Sequence, residues 1–261
     1  MQISWQNAVN RIQNLIQSER YFKPEVKDVP RTVETEPEVV PDREPVPVQN
    51  YHINDGTLGE AGPKAKFRMN MDAIYALKII ENENRNASPE EQETLAKYVG
   101  WGGIPEAFNE DNSSWIREYK ELKAALTNEE YAAARASTLN AHYTSPTVIK
   151  AIYEAVGNMG FKTGNILEPS MGVGNFFGLL PESMQNSRLY GVELDSVTGR
   201  IARKLYPKAD ITLAGFETTD RRDFFDLAVG NVTFGNYKVN DKAYNKLNFS
   251  IHDYFFGATR S

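Results

Sequence analysis

Ile166-Leu167-Glu168-Pro169-Ser170-Met171-Gly172-Val173-Gly174-Asn175 decides the fold, and Gly191-Val192-Glu193-Leu194-Asp195 follows it about twenty residues later. An apolar strand runs into a carboxylate, then into a loop with two glycines, then into a helix opened by Phe176, Phe177 and Leu179. The next strand ends on a second carboxylate. A strand–loop–helix–strand unit of this kind grips a nucleoside: glycines let the backbone approach the ligand, and the later acid takes ribose hydroxyls. Glu193 is the ribose candidate, and Asp195 is the near alternative, better placed as the cap of the following helix.

The loop also says which nucleoside. A dinucleotide site carries three glycines spaced to set a helix N-terminus against pyrophosphate. Here the third glycine is missing and Glu168 precedes the turn. A carboxylate there repels phosphate and suits a cationic ligand such as S-adenosylmethionine, whose amino group and sulfonium are positive.

The rest of the chain bounds the setting. With 261 residues, 41% of them hydrophobic, one ordinary domain or one plus a smaller one is expected. There is no cysteine, which excludes disulfides and thiolate zinc sites and fits a reducing cytoplasm. The three histidines, His52, His142 and His252, are scattered, so no metal site is expected. No apolar run is long enough to span a bilayer, so no membrane partner is expected. A net charge of −6 weighs against general nucleic-acid binding, although Arg221-Arg222 and the trio Lys238, Lys242 and Lys246 are locally basic.

Four segments follow from patterning. Residues 1–22 place Trp5, Val9, Ile12 and Ile16 at helical spacing. Residues 23–60 carry six prolines between Pro24 and Pro47 and read as a disordered linker. Residues 61–138 are helical, with Ser88-Pro89-Glu90-Glu91 as a capping box and Thr127 as a further cap. The turn Gly100-Trp101-Gly102-Gly103 is expected to anchor its indole against Phe108 and Trp115. Residues 139–261 alternate helix and strand, implying a parallel sheet: a helix from Pro146, strands at 165–168, 188–193, 210–213 and 225–229, a helix over 196–205 and a last one near 249–256.

The segment Asp226-Leu227-Ala228-Val229-Gly230-Asn231-Val232-Thr233-Phe234-Gly235 reads as a buried strand ending in an Asn-x-x-Phe turn. Here the chain resembles the amino-group DNA methyltransferases that make N6-methyladenine, whose hallmark is Asn/Asp-Pro-Pro-Phe/Tyr after the fourth strand. More narrowly it resembles the methylase module of large methylase–helicase proteins of conjugative elements and phages. The motifs Tyr98-Val99-Gly100-Trp101-Gly102-Gly103, Ala141-His142-Tyr143-Thr144-Ser145-Pro146 and Gly230-Asn231-Val232-x-Phe234-Gly235 carry that likeness over residues 50–256.

The resemblance implies an α/β fold, a Rossmann-like class I methyltransferase sheet preceded by a helical region. The sequence stops one helix after the fourth strand, so the sheet reads as truncated there, its edge covered by a missing C-terminal part or another chain. It implies S-adenosylmethionine as cofactor, held by Thr144, Glu168, Ser170, Gly172, Gly174 and Glu193, with Phe216 on the adenine ring and Glu217 nearby. Thr144 also stands where a helix cap would. It implies DNA as substrate, a duplex with one adenine extruded. The Asn231 side chain and the Val232 carbonyl would accept the two N–H bonds of its N6 amine while Phe234 stacks on the base. Val232-Thr233 departs from Pro-Pro, which favours as alternatives a non-catalytic DNA-binding or scaffold module. Related turns also methylate RNA bases and protein glutamines.

Overall fold

The computed structural model describes residues 48–54, 56, 59–138, 143–219, 223–233 and 238–259. The N-terminal helix expected over 1–22, most of the proline-rich stretch, His142, Arg221, Arg222 and Phe234 lie outside the described residues.

Among the described residues five α-helices precede the sheet: α1 (Pro63–Asn82), α2 (Pro89–Ala96), α3 (Ile116–Ala125), α4 (Asn128–Ser137) and α5 (Pro146–Asn158). Their starts follow local chemistry. The Ser88 hydroxyl accepts from the Glu91 amide while the Glu91 carboxylate accepts from the Ser88 amide, and Thr127 and Glu130 repeat that exchange at α4. The helix from Pro89 ends at Ala96, short of the Gly100 stop that its periodicity suggests. The Asn70 side chain, fully buried on α1, donates to the Gly100 carbonyl and accepts from the Val99 amide, which draws that stretch out of helix. Trp101 then packs edge-on to Phe108 with ring centres 5.4 Å apart, whereas Trp115 meets Phe67 at 6.1 Å.

After α5 come β1 (Asn165–Glu168), α6 (Asn175–Gly178), β2 (Arg188–Glu193), α7 (Ser196–Leu205), β3 (Asp210–Leu213), β4 (Leu227–Ala228) and α8 (Ile251–Ala258). All pairings are parallel, in the order β3-β2-β1-β4. The reversal of order between β1 and β4 puts a crevice beyond the carboxyl ends of the strands, where sheets of this class bind ligands. β4 is shorter than the run over 225–229, and it is the edge of the sheet among the described residues. Its start is fixed by Asp226, whose carboxylate accepts from the Asn165 amide (2.7 Å).

Alternation along the strands divides two apolar layers. Ile166 of β1 and Leu189 of β2 face a large cluster shared with α1, α2, α5 and α7, whereas Leu167 and Val192 face a smaller one with Phe216, Ile251, Tyr254 and Phe255. The helical segment and the sheet therefore share a core. The end of the stretch read as linker is packed too: Tyr51 and Ile53 donate to the carbonyls of Leu205 and Gly178 (both 2.8 Å), and Ile53 is buried. The strand order and the glycine loop after β1 make this a Rossmann-like parallel sheet preceded by helices.

Gln92 stitches the layers. Its buried amide lies within hydrogen-bonding distance of the carbonyls of Gln49 (3.1 Å), Lys204 (3.1 Å) and Leu205 (3.2 Å), joining α2, the 48–54 strap and the end of α7. Gln92→Leu strands those acceptors and is expected to lower stability by about 1–3 kcal/mol. Urea unfolding should show a lower midpoint at unchanged slope; an unmoved midpoint would contradict the stitch.

Candidate active site

The glycine loop bends because two of its residues adopt backbone angles that side chains resist. Gly172 has φ +57° and Gly174 has φ +84°. A Cβ on Gly174 would also sit 2.6 Å from the Tyr206 ring, and one on Gly172 would sit 3.2 Å from the Tyr143 ring. The loop thus turns tightly between β1 and α6, with Tyr143 against its outer side.

Above the loop lies a cavity of about 320 Å³, at the lower end of the ~300–1,000 Å³ usual for small-molecule sites. It brings together Thr144, Glu168, Ser170, Gly172, Glu193 and Asn231. Three acids, Glu168, Glu193 and Asp195, line it, and none of its described lining residues is Lys, Arg or His. That balance favours a cationic ligand and disfavours a phosphorylated one.

Glu168 ends β1 at 2% exposure, and its Oε2 has no hydrogen-bond partner among the described residues. Burial, and then the Glu193 charge, hold its carboxyl well above the usual carboxylate range. Glu193 ends β2. Its Oε2 accepts from the Gly172 amide and its Oε1 from the Asp195 amide (both 2.8 Å), so the acid and the loop fix each other. Burial pushes the Glu193 carboxyl up to about 7, with the two amides pulling the other way and the Asp195 charge adding to the rise. Asp195 caps α7 by accepting from the Thr198 amide (2.7 Å), as its position suggested, and it lines the cavity as well.

Other expected site residues lie elsewhere. Gly174 shapes the loop without lining the cavity. Phe216 is buried in the smaller cluster, stacked on Phe255 with ring centres 5.3 Å apart, and Glu217 is exposed beside Gly215. Val232 packs its side chain on the same cluster. Ser145, not Thr144, caps α5, accepting from the Val148 amide, so Thr144 sits ahead of the helix at the cavity wall. Thr233, which replaces the second proline of the related motif, approaches Ser170 with hydroxyls 3.4 Å apart.

Several lining residues carry no signal readable from sequence. Ala133, Ala136 and Ser137 come from α4, and Leu194 lines the cavity while 76% exposed. Tyr143 could have been found, because it adjoins Thr144 in a motif already singled out.

The Glu193 shift has a sign. A glutamate in an unfolded chain titrates near ~4.3, so the folded, unliganded protein binds this proton more tightly. The stabilisation is fully present below pH ~4.3 and is lost as pH rises through about 7. Glu193→Gln removes that loss. Its melting temperature should rise relative to the parent between pH 5 and 7.5; a constant difference over that window would contradict the assignment.

No family model matches the chain. Over 140 residues, 51% of this chain, it is 30% identical to the defense against restriction protein B of Escherichia phage P1, spanning 6% of that protein. Over 89 residues, 34% of this chain, it is 35% identical to the type II methyltransferase M.CvrRI of Paramecium bursaria Chlorella virus XZ-6E, spanning 23% of it. Among solved structures, a class I S-adenosylmethionine-dependent methyltransferase described as putative, from Listeria monocytogenes, overlaps 75% of this chain and 69% of its own, with 13% identity and a TM-score of 0.38. The type I restriction-modification methyltransferase subunit of Streptococcus thermophilus overlaps 68% and 47%, with 13% identity and a TM-score of 0.34. Strand order and loop carry the Rossmann-like fold, and the sequence likeness is to a phage protein and a viral type II methyltransferase of which the chain spans 6% and 23%.

Proposed function

We propose that this chain is the cofactor-binding part of an S-adenosylmethionine-dependent DNA methyltransferase acting on the N6 amine of adenine. One observation carries the cofactor assignment. A buried carboxyl with an unpartnered oxygen faces a cavity whose other charged groups are also acids. Such a group is costly to bury alone and becomes favourable opposite a cation. S-adenosylmethionine supplies an electrophilic methyl group on a sulfonium.

The residues present fit that ligand. Glu168 would take the positive charge of the methionine part, with Thr144, Ser170 and Gly172 around it. Glu193 is held by two backbone amides, and each of its oxygens keeps a further acceptor site for ribose hydroxyls. Asn231, three residues beyond β4, lines the same cavity, and on this reading its amide oxygen is an acceptor for an exocyclic amine.

The N6 amine of adenine is a poor nucleophile because its lone pair is delocalised into the ring. Two acceptors for its N–H bonds, the Asn231 side chain and the Val232 carbonyl, favour the tetrahedral form and aim the lone pair, so no strong base is needed. Extrusion of the base, which costs a few kcal/mol, gives access to the amine. The likeness of the Asn-x-x-Phe turn to the adenine-N6 family supports this substrate over RNA or a protein glutamine. The departure at Val232-Thr233 supports the second reading, a scaffold that binds donor or DNA without transfer.

Calorimetry with S-adenosylmethionine and S-adenosylhomocysteine tests the cofactor. Burial raises the proton affinity of the Glu168 carboxyl, and a bound sulfonium would lower it again. Binding of S-adenosylmethionine should therefore release a proton, tighten as pH rises, and give heats that differ between buffers of different ionisation enthalpy. Glu168→Gln should weaken it by about 10–100-fold, the worth of a charge-assisted hydrogen bond of ~1.5–3 kcal/mol. No binding by a folded sample would overturn the cofactor assignment. Transfer of labelled methyl to duplex DNA, RNA and protein, with digestion to identify N6-methyladenine, then separates the substrates. Binding without transfer to any of them would leave the scaffold reading.

A further inference from the structure

The cavity is not built by the sheet alone. Gly100, Ala133, Ala136, Ser137 and Tyr143, all upstream of β1, line it together with Leu194, Asp195 and Thr198 from the end of β2 and the start of α7. Ala133, Ala136 and Ser137 stand at spacings of three and four, one face of α4. A row of small residues does not by itself make a site. Here it lines the same cavity as a buried, unpartnered carboxylate oxygen of Glu168, which calls for a ligand independently.

α4 is held where it is by charge. Glu130, buried one turn before Ala133 and Ala134, accepts from the Arg200 guanidinium of α7 at 2.6 Å and lies 3.6 Å from the Lys78 ammonium of α1. Arg200 also reaches Glu81 at 3.4 Å. The pairs fix α4 across the start of α7, whose N-terminal residues line the cavity at its ribose-binding end. Leu194 adds an apolar side chain there that is 76% exposed without ligand.

We propose that the Ala133–Ala136–Ser137 face of α4 is the wall that receives the adenosine part of the ligand, and that side-chain volume at 133 and 136 sets the size of nucleoside accepted. The proposal rests on the cofactor reading above. On this proposal a flat heteroaromatic ring lies against that face, with Leu194 in the same cavity adding apolar surface and Glu193 taking the ribose hydroxyls. Methyl side chains leave this space open, and a branched side chain at either position fills it. The helical segment is on this view a component of the donor site.

The test compares the parent with Ala136→Leu and Ala133→Leu, using S-adenosylhomocysteine and 5′-methylthioadenosine, which keeps adenosine and lacks the amino acid. Either leucine should weaken both ligands at least about tenfold by calorimetry. A folded leucine variant that binds 5′-methylthioadenosine like the parent would overturn the wall. Absence of binding by the parent itself would instead overturn the cofactor reading. Should both leucine variants fail to fold, S-adenosylhomocysteine carrying a benzyl group on N6 replaces them as the probe. The parent should discriminate against it and Ala136→Gly should narrow that discrimination; equal discrimination by both proteins would overturn the proposal.

Discussion

A carboxyl group at the end of a central strand, sealed from water and short of one hydrogen bond, is the constraint around which this molecule is arranged. Glu168 is the last residue of β1, and the chain turns immediately after it into Pro169 and the loop of Gly172 and Gly174. The loop cannot take another course, since the Gly172 amide is bonded to Glu193 at the end of β2. The two acids therefore sit at a separation fixed by neighbouring parallel strands, with Glu168 and Gly191 in register. Each raises the proton affinity of its surroundings, and the Glu193 charge is a cause of the Glu168 shift. Burial of the two acids raises their proton affinity, and a cation in the cavity would lower it.

That arrangement depends on elements far from it in sequence. Tyr143 backs the glycine loop, Gly100 and α4 line the cavity, and the Arg200–Glu130 pair ties α4 to the helix that follows Glu193. The aromatic cluster of Trp101, Phe67 and Phe108 thus holds up more than a turn: Asn70 fixes the backbone at Val99 and Gly100, and Gly100 is itself cavity wall. A helical segment that looks like a separate unit by pattern shares its core with the sheet and supplies part of the site.

The sheet was readable from sequence because its signals are local. β1, β2 and β3 and the helix from Ser196 fall where apolar runs, glycine turns and the Asp195 cap set them. β4 is shorter than the run over 225–229: Leu227 and Ala228 pair with β1, the Asp226 and Val229 amides still donate to the carbonyls of Asn165 and Leu167, and Phe225 packs its ring on Tyr190 with centres 5.5 Å apart. The two carboxylates and the loop were readable for the same local reason. The α4 wall was not, because Ala133 and Ala136 look like ordinary helix formers, and only the fold brings them to the cavity. Phe216 carried the opposite trap. An aromatic after β3 looks available for a ring contact, yet α8 arrives from later in the chain and stacks Phe255 on it.

The turn after β4 is where local and global requirements meet. Two prolines would pre-set an extended turn by restricting φ before folding. Val232 and Thr233 lack that restriction, so the turn must be positioned by contacts made in the folded state. Val232 is held by the smaller apolar cluster, and the Thr233 hydroxyl lies 3.4 Å from that of Ser170, in the glycine loop. Both hydroxyls are on residues that line the cavity with Glu168. The turn that carries Asn231 therefore lies against the glycine loop and depends on that contact, where prolines would have fixed it independently. On the proposed reading of the site, a ligand that orders the glycine loop would also help to hold Asn231 in place.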